Sequence, residues 1–241
     1  MLLISALVPA VSEAEARNEE VFLKELYLRG SKYLIFITIP ALFFITTNAS
    51  LVISAWMGEG YERSALVIQI LAVGYFAATV TGVASSIAAG VARTDIDMKF
   101  GLLLAVLNLA LSIFLIIKFG FIGVVLGTTI SMIVASFIFM KLFHDYFSSI
   151  PLNCFFQLFY KPLIACIMPV LIMIFLNHSL QDISLSYGRL ANISILGMNG
   201  ILFALSYIIF IILSKYFDKY DIEIFKVKIP FLKYLLLSYE N

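Results

Sequence analysis

The side chains best suited to chemistry are kept out of the apolar stretches of this sequence. All fifteen carboxylates lie in polar connectors: five in 12–32, two each in 56–63 and 90–99, one each in 141–161 and 177–192, and four in 214–241. A carboxylate inside an apolar stretch is the usual proton relay of a membrane transporter, and these stretches carry none. The two histidines, His144 and His178, fall in connectors on opposite sides of the expected topology, so they share no metal site. His178 and Asp182 stand at i,i+4, as an acid–base pair on a helix would, but no nucleophile or second carboxylate accompanies them. Cys154 and Cys166 lack metal-ligand spacing and read as small apolar fillers rather than a disulfide. The expectation is a protein with no catalytic residue, no metal and no cofactor, and not an enzyme.

Chemistry within the apolar stretches is left to neutral amides. Asn108 stands at the midpoint of one of them, with Ser112 one turn on and on the same face. An unpaired amide in hydrocarbon costs roughly 2–7 kcal/mol, so Asn108 must face protein or a water-filled cavity. It either makes an interhelical hydrogen bond or lines a transport path. Gln69, Asn199 and Asn48 are the other path candidates, closer to the outer ends of their stretches, where the hydrogen bond is the plainer reading.

The elements that must hold these amides are membrane helices. Of the 241 residues, 62% are hydrophobic and 13% charged, with a mean hydropathy of +1.05, whereas soluble domains carry about 25% charged residues. Six stretches are apolar enough to cross a bilayer of about 30 Å: 33–55, 64–89, 100–117, 121–142, 162–176 and 193–213. Pro40 inside the first removes a backbone donor, which a membrane helix tolerates when a neighbour re-satisfies the freed carbonyl. Small residues recur every fourth position in two places, Ala78, Gly82, Ser86 and Gly90, and Gly123, Gly127, Ser131 and Ala135. Such stripes allow close helix approach. The sequence predicts an all-α integral membrane bundle of six transmembrane helices plus the stub of a seventh.

The connectors complete the organisation. MLLISALVPA lacks a positive n-region and is too short to span, so it reads as the end of a helix begun upstream. Within 12–31, Ser12 and Glu15 fit a capping box, acidic residues lead and basic ones close the helix, and Gly30 marks its end. Trp56 to Tyr61 is an interfacial turn, 143–161 an aromatic interfacial connector broken by Pro151, and 177–192 the longest outer loop. The tail from Ser214 ends in an amphipathic stretch, Phe225 to Leu237. The chain thus divides into 1–31, a helix end and connector; 32–142, four spans; and 143–241, two more spans with connector and tail. Thirteen of the sixteen Lys and Arg residues lie on one side of this topology, in 12–32, 90–99, 141–161 and 214–241. Both termini are therefore expected in the cytoplasm. A net charge of +1 excludes a global nucleic-acid surface.

Several short motifs, taken in order, carry a family likeness. They are Leu7-Val8-Pro9-Ala10-Val11-Ser12-Glu13, a charged helix, and a Pro-bearing span closing on Trp56-Met57-Gly58. Then come Ala89-Gly90 with Arg93, Asn108, the pivot Phe119-Gly120 with Gly123, and Lys161-Pro162-Leu163. The chain resembles the C-terminal half of bacterial polysaccharide-unit (O-antigen) flippases, the Wzx-like branch of the multidrug/oligosaccharidyl-lipid/polysaccharide exporter superfamily. The resemblance implies half of a two-lobed, MATE-like transporter that moves a lipid-linked oligosaccharide across the inner membrane by alternating access. Its implied partners are membrane lipids, the lipid-linked saccharide and a separately encoded N-terminal lobe. The family's basic cavity residues have no counterpart here, and no role passes to Arg93. The alternatives are a multidrug or metabolite exporter of the same superfamily, or a non-transporting truncated membrane protein.

Overall fold

A computed structural model describes residues 7–58, 60–147, 152–218 and 220–223, with backbone alone for 152 and 181–187. Among the described residues the chain forms nine helices. They are α1 (Leu7–Ala16), α2 (Glu20–Thr47), α3 (Ala49–Met57), α4 (Glu62–Val80), α5 (Gly82–Gly90), α6 (Thr94–Phe119), α7 (Phe121–Tyr146), α8 (Leu152–Ser179) and α9 (Gln181–Leu213). Six helical segments are long and apolar enough to cross a membrane, as in a multi-pass membrane protein: α2, α4 with α5, α6, α7, nearly all of α8, and α9 from Gly188. The amphipathic stretch 225–237, Pro151 and the first six residues lie outside the described part of the chain.

The helices pack side by side, with α6 at one edge. α6 packs on α7, α7 on α4, α4 on α2, α2 on α8 and α8 on α9, while α3 wedges between α4 and α9. α6 is the outermost helix, and Leu102, Leu109, Ile113 and Ile117 leave its outer face fully apolar and exposed. A hydrocarbon surround makes that exposure cost nothing.

Several local expectations are corrected by the helix ends. Ser12 and Glu15 do not cap a helix start, because both lie inside α1; the Ser12 hydroxyl instead donates to Gly90 O at 2.8 Å. Asn18 at φ 56° ends that turn, and α2 then runs unbroken through Gly30 into the first span. Gly30 serves close approach rather than termination: a Cβ there would lie 3.1 Å from Val83 Cγ1. The expected loop 177–192 is mostly helical, turning at Leu180 and again at Gly188, where φ is 66°. Likewise, most of the aromatic connector 143–161 is absorbed into the ends of α7 and α8. Apolar runs mark only the hydrocarbon-crossing part of a helix, and these helices continue past it.

The two small-residue stripes fare differently. Gly123 and Gly127 press α7 against the α6 backbone so tightly that a Cβ would come within 2.1 Å of Leu115 O and 2.7 Å of Ser112 N. Ser131 and Ala135, further along the stripe, are completely buried. The first stripe is not one ridge, since the helix breaks at Thr81 between Ala78 and Gly82. Ser86 is buried, and Gly90 packs on α1, where a Cβ would lie 2.5 Å from Val11 Cγ1.

Pro40 leaves the carbonyl four residues earlier without its helical donor. That carbonyl is Phe36 O, and the buried Tyr207 hydroxyl of α9 donates to it at 3.0 Å. One cross-helix bond therefore makes the proline tolerable. Tyr207→Phe is expected to leave Phe36 O unpaired and cost about 1–2 kcal/mol, read as a lower unfolding temperature in detergent.

Candidate functional site

The first span breaks at Asn48, eight residues beyond Pro40, with φ −104° and ψ 15°. A helix end inside a membrane leaves carbonyls that water cannot reach, so protein must satisfy them. Here side-chain amides do it. Asn48 Nδ2 donates to Phe44 O at 3.0 Å, Gln69 Nε2 from α4 to Thr46 O at 2.8 Å, and Asn177 Nδ2 from α8 to Thr47 O at 3.3 Å. Asn199 from α9 closes the cluster, donating to Asn48 Oδ1 at 2.9 Å and to Asn177 Oδ1 at 2.7 Å. Asn177 also donates to Asn48 Oδ1 at 3.2 Å. Just beyond, Arg189 Nε donates to Ala55 O at 2.9 Å and caps α3.

Three of the four amides singled out in the sequence thus serve the same helix break: Asn48 and Asn199 bond each other, and Gln69 bonds Thr46 O beside them. Asn48 is 1% exposed and Asn199 0%, while Gln69 and Asn177 are half-buried. Asn177 and Asn199 each use both amide N–H groups, but Asn199 Oδ1 has no partner among the described residues. A buried acceptor left unpaired costs about 1–3 kcal/mol. Beside the cluster a groove of about 390 Å³ runs between α2 and α9, walled by Pro40, Phe44, Gly200, Phe203 and Tyr207. It is apolar, and exposed Ile37 and Ile208 stand at its edge.

Asn108 stands apart from this. Its Nδ2 donates to Thr128 Oγ1 on α7 at 3.1 Å, and Thr128 in turn donates to Val124 O at 3.1 Å. Of its two readings, the geometry gives the interhelical bond: Asn108 stitches the outermost helix to its neighbour. Asn177 was missed because the apolar stretch seemed to end one residue before it. Its signal was its place in the hairpin, where it and Asn199 flank the same turn on consecutive apolar stretches.

The histidines are far apart in the structure as well. His144 is buried in an aromatic cluster with Tyr27, Phe143 and Phe155, its Nδ1 2.8 Å from Met140 O. His178 lies at the other end of α8 from Phe155, about 35 Å along the helix. The Asp182 side chain proposed as its partner lies outside the described residues. Arg93 makes two bonds to Asp95, at 2.7 and 3.1 Å, and its guanidinium lies 3.9 Å over the Tyr146 ring. That arrangement anchors a helix end.

An ion cluster ties the chain after α9 back to α2. Asp221, 0% exposed, accepts from Lys32, from the Tyr33 hydroxyl and from Arg29, the last at 3.3 Å. Asp218 and Asp221 each accept the other's backbone N–H at 3.0 Å, and Tyr216 donates to Lys32 O at 2.9 Å. Burial works against the charge of Asp218, but the Asp221 N–H, Lys32 and Arg29 outweigh it and hold its carboxyl below the ordinary range. A depressed carboxyl favours the fold above its unfolded value of about 3.9. That contribution is expected to be intact at neutral pH and lost as pH falls below about 4 through the folded value. Acid titration of the unfolding temperature, compared with Asp218→Asn, checks it: the variant should lack that part of the slope.

Comparison with protein-family models, with curated proteins and with solved structures gives no match.

Proposed function

We propose that this chain forms the C-terminal lobe of a bacterial inner-membrane exporter that carries a lipid-linked saccharide across the bilayer by alternating access. An N-terminal lobe supplies the opposing wall of the path. The observation that carries this reading is the neutral amide cluster at the α2–α3 break, with Asn199 Oδ1 unpaired, set beside the apolar groove between α2 and α9. A saccharide is an uncharged array of hydroxyl donors and acceptors. Amides match it without the desolvation cost that a charged group would add. The lipid part of such a cargo is hydrocarbon, which gains by leaving polar surroundings for an apolar groove. Membrane transporters commonly place cargo sites at broken helices, because only there does the backbone offer polar groups inside the bilayer. The sixteen basic residues, thirteen of them on one side, support cytoplasmic termini.

Co-expression tests the division into lobes. In a strain lacking its own polysaccharide flippase, this chain with a separately encoded N-terminal lobe is expected to restore surface polysaccharide, and this chain alone is not. Restoration by the chain alone, or by neither combination, overturns the proposal.

A further inference from the structure

A second pocket lies away from the amide cluster, between α4, α7 and α8, with a volume of about 330 Å³. Five phenylalanines wall it: Phe76, Phe137, Phe155, Phe156 and Phe159. Phe76 and Phe159 stand edge to face at 85°, and Phe155 and Phe159 at 71°, so the walls offer both ring faces and ring edges. Phe137 (60% exposed) and Phe156 (48%) form the rim, so the pocket opens sideways, toward the surrounding hydrocarbon.

Two polar residues line it, Thr81 and Ser136, and the Thr81 hydroxyl donates to Ala78 O at 2.8 Å. Ser136 is 4% exposed, and its hydroxyl has no partner among the described residues. The Ser31 and Ser112 hydroxyls are in the same state among the described residues, but neither residue lines this pocket. Thr38, Thr46, Thr79, Thr128, Ser194 and Ser206 each donate to the carbonyl four residues back, the ordinary solution for a hydroxyl in a membrane helix. Ser136 does not. It sits ten residues, or about 15 Å, from the nearer end of α7, a helix about 39 Å long. That depth lies within the hydrocarbon layer of about 30 Å, below the ester groups of ordinary lipids. A plain acyl chain at this level has no acceptor for the hydroxyl.

We infer that this pocket binds a neutral, membrane-soluble aromatic ketone of the quinone class. A flat ring packs against the edges and faces of the phenylalanines, and a ring carbonyl accepts the hydrogen bond that Ser136 does not make within the protein. The hydroxyl is buried as it stands, so the bond requires it to turn toward the ring. The site does not depend on the transport proposal, because it needs only that α4, α7 and α8 lie in a bilayer.

The test uses the full chain in dodecyl maltoside and two tritiated probes, 2,3-dimethyl-1,4-naphthoquinone and 2,3-dimethylnaphthalene, which differ only in the carbonyls. The quinone is expected to bind about tenfold more tightly than the hydrocarbon, the gain of one hydrogen bond. Ser136→Ala should erase that preference while leaving hydrocarbon binding unchanged. Ala77→Phe, which fills the pocket from α4, should abolish binding of both. Equal affinity of the two probes for the unmodified chain, a preference that survives Ser136→Ala, or binding that survives Ala77→Phe would overturn the assignment.

Discussion

Asp221→Ala is expected to destabilise the bundle by about 3–5 kcal/mol, the cost of breaking a buried ion pair from one side. Asp221 is completely buried, and the Lys32 side chain it holds is only 11% exposed. Removing the carboxylate leaves that ammonium with the more distant, exposed Asp218 carboxylate at 3.5 Å and deletes the bond from the Tyr33 hydroxyl. The ion pairs of Asp218 with Arg29 and Lys32, the Tyr216 bond to Lys32 O and the rings of Tyr216 and Phe217 on Phe36 then remain to hold the chain beyond α9 to α2. Thermal unfolding in detergent and tryptic cleavage after Lys215 should both register the loss. Asp218→Ala is the control: its side chain is 54% exposed, and exposed pairs contribute little, about 0–1 kcal/mol. Lys32→Met combined with Asp221→Met should recover most of the stability, because an apolar pair leaves no charge stranded.

Asn48→Leu is the second large effect. It removes three hydrogen bonds at once, one to Phe44 O and two accepted from Asn177 and Asn199. At about 0.6–1.7 kcal/mol each within a membrane, the expected cost is about 2–4 kcal/mol. The loss should be cooperative with Asn199→Leu, so a double-mutant cycle on unfolding free energies should show strong coupling. Asn108→Leu, by contrast, forfeits a single bond whose partner Thr128 keeps Val124 O, and should cost under about 1.7 kcal/mol with no coupling to Asn48. Coupling between Asn108 and Asn48 would contradict the separation of the two sites.

What could be read from the sequence was set by how local the determining physics is. Six membrane helices follow from uninterrupted apolar length, and the structure has six such helices. The glycines at 123 and 127 follow from spacing alone, because a hairpin with a short turn brings its two helices together wherever the small side chains lie. The break at Asn48 was not legible. No glycine or second proline marks it, and Pro40 drew the attention a break would earn, although the hydroxyl of Tyr207 repairs Pro40 from 167 residues away. The capping-box pattern at Ser12 misled for a related reason: a hydroxyl three residues before a glutamate also occurs inside a helix, where its partner can come from another element, here Gly90. Asn48, Gln69 and Asn199 could each be recognised as needing a partner. That they serve one helix break, with Asn177, is a property of the packing.

The ion cluster was hidden for the same reason. Arg29, Lys32, Asp218 and Asp221 read as ordinary connector charges at opposite ends of the chain, and only the adjacency of α2 to the segment after α9 makes them one cluster around the buried Asp221.

Deletion of the gene in its own host tests the transport proposal most directly, with lipid-linked saccharide measured by mass spectrometry and surface polysaccharide by immunoblot. The expected result is loss of surface polysaccharide together with accumulation of the lipid-linked unit, reversed by the intact gene and only weakly by one carrying Asn199→Ala. Unchanged surface polysaccharide and no accumulation would contradict it.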